Sequence, residues 1–159
     1  MSSSSSSSSS SLSFLNNNEE DGDYNQYLYS PNTIDRIVED VINLYNSDNN
    51  NNDKVLIFLS TPSLYFSLPD YIMKNSYVFD YDKKWSNDRG FVFYDFNNPS
   101  SIPNNLLGKA DYIIIDPPFI TRDVWEKYTE TAKLLIKNGN DSTGQPYGKI
   151  VCTTGKIIK

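Results

Sequence analysis

The sequence predicts an α/β domain around a mostly parallel sheet, and three observations carry the prediction. Its main apolar segments, "KVLIFLS", "SYVFDYD", "GFVFYDF", "DYIIID" and "KIVCTT", are short runs of the kind that form strands covered on both faces. Two further segments show the i, i+3, i+4, i+7 spacing of helices with one buried face. Hydroxyls and acids stand where the strand-like runs end, which is where ligands bind in open parallel sheets.

Taken in chain order, residues 1–23 begin with a serine run and continue as an Asn/Glu/Asp tract, too polar to offset the cost of ordering their backbone. This stretch is expected to be a disordered tail, with a folded domain over residues 24–159. Ile34, Ile37, Val38, Val41, Ile42 and Tyr45 define a helix over 31–45, with Ser30 as N-cap and Pro31 in the first turn. "NSDNNNND" closes it as a polar loop.

The first strand is expected over 54–60, followed by a helix that starts at Thr61 and Pro62 and bends or stops near Pro69. Strands are expected over 76–82, 90–96 and 111–116. Val124, Tyr128, Thr131, Ala132 and Leu135 form the apolar stripe of a helix over 121–136. A Gly/Asn/Asp/Ser/Pro loop over 138–148 then leads to the last strand, in which Cys152 reads as a small buried hydrophobe. Trp85 and Trp125 read as packing residues.

Composition removes several functions. The 159-residue chain has 20 acids against 14 bases, a net charge of −6, one cysteine and no histidine. Triads built on histidine, imidazole zinc sites and internal disulfides are therefore excluded. Lys83, Lys84 and Arg89 form the single tight basic cluster, so a basic partner suits the chain better than a nucleic-acid backbone. No run reaches the roughly 18 apolar residues of a membrane helix, and the polyserine start lacks the features of a signal peptide. A soluble cytoplasmic protein is expected.

The strand ends supply the candidate site residues. Ser60 and Thr61 follow the first strand, Asp82 the second, Asp95 the third and Asp116 the fourth. An acid after the second strand is placed to accept from ribose hydroxyls, although Asp82 could equally pair Lys83 or Lys84. Asp95 could accept from an adenine amino group or simply precede the turn "NNPSS". In Asp116-Pro117-Pro118-Phe119 the prolines remove two N–H donors and stiffen the backbone, leaving an edge of carbonyls and a carboxylate. Such an edge suits an incoming amine, holding its hydrogens so that the nitrogen lone pair is aimed at an electrophile. Phe119 adds a face for a planar group or a cation. The turn after the first strand, "STPSLY", has no glycine, so the dinucleotide fingerprint of hydride-transfer enzymes is absent.

Asp116 to Phe119 resembles the Asp/Asn-Pro-Pro-aromatic motif of S-adenosylmethionine-dependent amino-group methyltransferases. Five further blocks, "NQYLYS", "STPSLY", "FDYDKKW", "FVFYDFNNP" and "GKIVCTTG", extend the likeness over residues 24–159. In that order they resemble the protein-lysine methyltransferases of translation elongation factor 1-alpha, a family earlier described as N6-adenine-specific DNA methyltransferases. The resemblance implies a Rossmann-like methyltransferase fold of seven strands with S-adenosyl-L-methionine as cofactor. It implies that Ser60, Thr61 and Pro62 line the methionine end, Asp82 the ribose and Asp95 the adenine. Asp116, Pro117, Pro118 and Phe119 would hold the lysine amine, with Tyr27 and Tyr29 closing over the site. The family continues through a helix and two strands after the fifth, so an incomplete domain is expected here. Three functions stay open at this point: lysine methylation of the elongation factor, adenine-N6 methylation of nucleic acid, and an inactive methyltransferase-like fragment.

Overall fold

Five parallel strands, β1 (Leu56–Leu59), β2 (Ser76–Asp80), β3 (Phe91–Phe93), β4 (Tyr112–Ile115) and β5 (Lys149–Cys152), form one sheet in the order β3-β2-β1-β4-β5. They are seen in a computed structural model that describes residues 7–20, 22–24, 28–47 and 53–153. The expected parallel α/β architecture is the one observed. In register, Leu59 of β1 faces Phe79 of β2 on one side and Ile115 of β4 on the other. The three central strands therefore end at one level and deliver Ser60, Asp80 and Asp116 to the same edge of the sheet.

Side chains of β1 alternate between two layers, as the two-residue period of a strand requires. Leu56 and Phe58 join Ile34, Val38, Val41 and Tyr45 of α2 (Pro31–Asn46) on one face. Ile57 and Leu59 join Val124, Tyr128, Ala132 and Leu135 of α5 (Arg122–Leu135) on the other. All residues of β1 and β4 are buried, and each such aliphatic side chain contributes roughly 1.5–3 kcal/mol by leaving water. α2 starts as read from the sequence, and α5 starts one residue after the expected Thr121, which caps it. The Ser30 hydroxyl accepts from the Thr33 N–H at 3.3 Å, and Thr121 accepts from Val124 at 3.4 Å. Gly90 lets β3 lie close to β2, because a Cβ there would come within 2.7 Å of the Ser76 carbonyl oxygen.

Four local expectations differ. The helix after β1 is split into α3 (Pro62–Tyr65) and α4 (Asp70–Met73), since Pro69, with its fixed φ, serves as the N-cap of a new helix rather than a bend in the old one. β2 ends at Asp80, two residues early, because Asp82 caps a 3-10 turn over Lys83–Trp85.

Part of the expected disordered tail forms α1 (Ser7–Asn17), packed on the domain. Its anchor is Phe14, which stacks with Phe66 at 5.9 Å and Trp85 at 5.7 Å, while Ser10 donates to the Ser67 carbonyl. Phe14, with Leu15 packed on the α2 layer, thus holds a polar segment whose composition alone argues against order. Cys152 is exposed rather than buried: Val151 turns toward the α2 layer, leaving Cys152 on the uncovered face of the edge strand β5. Among the described residues, no helix is long and apolar enough to cross a membrane.

Candidate functional site

A cavity of about 950 Å³ opens beyond the carboxyl ends of β1, β2, β3 and β4. Its size lies within the range of small-molecule and cofactor pockets. Ser60 begins its wall by leaving β1 in the left-handed region, with φ of 58°. A non-glycine residue there stores on the order of 1–2 kcal/mol, and such strain gathers at functional turns. The turn is held by the Ser60 hydroxyl, which shares a hydrogen bond of 2.6 Å with the Tyr128 hydroxyl of α5, and by the Ser60 N–H, which donates to the Phe79 carbonyl at 2.8 Å.

Next along the chain, Thr61 is buried, and its hydroxyl has no hydrogen-bond partner among the described residues. The indole N–H of Trp85, also in the cavity wall, likewise has none among them. Leaving a buried polar group unsatisfied costs roughly 1–3 kcal/mol, so both atoms fit the recognition of a polar ligand.

At the tip of β2 the acid facing the cavity is Asp80. It is buried and accepts from the Asp82 N–H at 2.8 Å; burial pushes its carboxyl up from 3.8 to about 6. Asp82, the acid the sequence points to, does not line the cavity. Its carboxylate accepts from the Lys84 N–H at 2.9 Å and pairs the Lys84 ammonium at 3.0 Å. Asp95 does face the cavity, with its carboxylate accepting from the Asn97 N–H at 2.9 Å and the Asn98 amide at 3.1 Å.

Beyond β4, Asp116, Pro117, Pro118 and Phe119 form the opposite wall. Phe119 is half exposed at the rim and meets Phe96 edge-on at 6.4 Å. Asp116 accepts a hydrogen bond from the Tyr29 hydroxyl, and Tyr29 is bonded in turn to the Thr153 hydroxyl at 2.6 Å. Burial raises the carboxyl of Asp116, while the hydrogen bonds from Tyr29 and Thr153 work in the opposite direction. Burial and the adjacent Asp116 charge keep the Tyr29 phenol protonated far above its ordinary range.

The fold thus gathers Tyr29, Ser60, Thr61, Pro62, Asp95 and Asp116 to Phe119 around one cavity and leaves Asp82 outside it. Tyr27 lies outside the described residues. The sequence reading missed Asp80, Trp85 and Tyr128 as wall residues. A signal for Asp80 existed, since the apolar run "SYVFD" breaks there first; Tyr128 was hidden by its place in the helical stripe. Among the described residues the wall carries four acids, Asp23, Asp80, Asp95 and Asp116, against Lys84. Such a wall attracts a ligand that brings positive charge and N–H or O–H donors.

The family model described as "Probable N6-adenine methyltransferase" matches residues 20–159. A protein-lysine N-methyltransferase of Dictyostelium discoideum is 34% identical over 142 residues, covering 87% of this chain and 61% of that protein. The protein-lysine N-methyltransferase EFM5 of Saccharomyces cerevisiae is 34% identical over 134 residues, covering 79% and 52%. EEF1A lysine methyltransferase 1 of Homo sapiens is 29% identical over 145 residues, covering 89% and 61%. The matched region thus spans between half and about three-fifths of the length of these relatives. No solved structure gives a match.

Proposed function

Since the chain belongs to the family described as "Probable N6-adenine methyltransferase", and relatives in it are named protein-lysine N-methyltransferases, we propose that it methylates a protein lysine. The methyl donor in this reading is S-adenosylmethionine, and the substrate is translation elongation factor 1-alpha, the protein named in one of the relatives. Residues 24–159 form the methyltransferase unit, working in the cytoplasm where the factor acts. The observation that carries the reading is one acid-lined cavity with a donor-poor Asp-Pro-Pro-Phe edge on one wall and unsatisfied polar atoms on the other.

S-adenosylmethionine, when bound, supplies an electrophilic methyl group on a sulfonium. Asp80, rather than Asp82, is the acid that would accept from its ribose hydroxyls, because Asp80 faces the cavity and Asp82 is committed to Lys84. The Thr61 hydroxyl is available to a carboxylate, and Asp95 to the adenine amino group. On the other wall, Asp116 and the Pro117 carbonyl would accept amine hydrogens of the lysine, with Phe119 packed on its methylene stem. A lysine arrives protonated and must lose a proton before attack. Burial of Asp116 raises its proton affinity and so narrows the gap to the ammonium. The excess of acids over bases in the wall favours a cationic lysine over a nucleic-acid strand.

The test is to incubate the chain with purified elongation factor 1-alpha and methyl-labelled S-adenosylmethionine. Label on a lysine of the factor is expected. A folded chain that binds the cofactor but labels only an adenine-containing oligonucleotide would replace the protein reading with the nucleic-acid one.

A further inference from the structure

Asp116 is fixed by a residue far from it in sequence. Tyr29 lies just before α2, yet its hydroxyl reaches the Asp116 carboxylate, and the hydroxyl of Thr153, just after β5, meets the same phenol oxygen. Donor counting gives the chain a direction. A phenol has a single hydrogen, and an ionised carboxylate can only accept, so Tyr29 donates to Asp116 and Thr153 shares its one hydroxyl hydrogen between the Tyr29 oxygen at 2.6 Å and the Ile115 carbonyl at 3.3 Å. Thr153 is itself placed by its N–H, which donates to the Ile115 carbonyl at 2.9 Å. Three elements that meet only in the folded molecule therefore converge on one carboxylate. The next two residues are prolines and supply no N–H to take over this task.

We propose that Tyr29, backed by Thr153, is a positioning residue that sets the orientation of the Asp116 carboxylate for an incoming substrate amine. The inference rests on the methyl-transfer reading for its consequence, but not for its geometry. It gives Tyr29, which the resemblance implies closes over the site, a task on the acceptor side. The titratable groups bearing on Asp116 are Tyr29 from the segment before α2 and Tyr128 from α5, and Tyr128 is also held protonated by burial. Neither brings a positive charge, so among the described residues the hydrogen bonds from Tyr29, the larger effect, and Thr153 are what offset the burial of the carboxylate.

Tyr29→Phe removes the hydroxyl and keeps the ring that packs beside the α2 core. Carbon-detected NMR titration of Asp116 in the full chain reads the contact without any need for turnover. The midpoint is expected to rise in Tyr29→Phe, and to rise by less in Thr153→Val, with Thr153→Ser behaving like the parent. In methylation of elongation factor 1-alpha, Tyr29→Phe is expected to lower kcat by about ten- to a hundredfold, as for a lost hydrogen bond to a charged group, with the acid limb of the pH profile moved upward. KM for S-adenosylmethionine should stay within about threefold, since the phenol acts on the amine side. An unmoved Asp116 titration in a folded variant overturns the positioning role, as does a moved titration with unchanged kcat. A parent chain that shows the titration shift but methylates neither protein nor nucleic acid leaves the contact established and removes the methyl-transfer reading instead.

Discussion

Asp80 at the tip of β2 and Asp116 beyond β4 are two carboxylates facing one cavity, both pushed upward by burial, yet they are held in opposite ways. Asp80 accepts from a backbone N–H two residues further along the chain. Asp116 accepts from a phenol 87 residues away in sequence. The first arrangement is a local turn, which forms wherever the strand ends. The second exists only when the segment before α2 and the tip of β5 close on the sheet. A short-range turn suits an acid that fastens a cofactor, whereas a long-range contact suits one whose aim matters to the reacting atoms.

The largest effect is expected on the β4 side. Asp116→Ala should reduce methyl transfer by about a hundred- to a thousandfold, the scale seen when one group that orients or stabilises the reacting centre is lost, while cofactor affinity by calorimetry changes little. Full activity in this variant would remove the distinction between the two acids. On the β2 side, Asp80→Asn should weaken S-adenosylmethionine binding by about ten- to a hundredfold, through loss of charge-assisted hydrogen bonds. Asp82→Ala, next to it, should cost about 1 kcal/mol of stability as a lost cap and move cofactor affinity by less than about threefold. The reverse ranking would restore Asp82 as the ribose acid.

The Asp80 carboxyl also separates stability from binding by pH. An acid raised from 3.8 to about 6 in the folded state favours folding below about pH 4 and loses that contribution as pH climbs through 6. In the proposed reading cofactor binding runs the other way, because it would use the carboxylate. Affinity should therefore fall by about tenfold per pH unit below about 6, measured by calorimetry on the parent and absent in Asp80→Asn. The same variant should melt a few degrees higher at pH 7, since it no longer buries a charge whose penalty is on the order of 2–3 kcal/mol. The smallest effect belongs to Ser60, which lies between the two acids. Ser60→Gly relieves the left-handed strain of about 1 kcal/mol but loses the bond to Tyr128, worth about the same, so the melting temperature should move by no more than about 2 °C.

Much of this site was legible from strand ends. "DYIIIDPPF" marks its own strand by an unbroken apolar run and its own exit by two prolines, and both are local properties of the chain. The register among β1, β2 and β4 was not visible, but it needed only to be the common parallel one for Ser60 and Asp116 to meet. The choice between Asp80 and Asp82 could not be read in this way. Both acids belong to the same run, and a shift of two residues keeps the same face, so the run does not say which one looks inward; in the fold Asp82 caps Lys83–Trp85 and Asp80 lines the cavity.

By itself, then, the sequence determined the alternation of strands and helices, the Ser30 cap of α2, and the stiff acceptor edge at Asp116, because each depends on neighbours within a few residues. Tertiary structure alone decided that Asp80 faces the cavity, that Phe14 holds α1 against Trp85, that Cys152 lies on an uncovered edge, and that Tyr29 donates to Asp116. Each of those contacts joins residues whose meeting depends on how whole elements pack. Periodicity and capping signals extend over a turn or a strand, and they carry no information about which side chain will stand opposite another once the layers close.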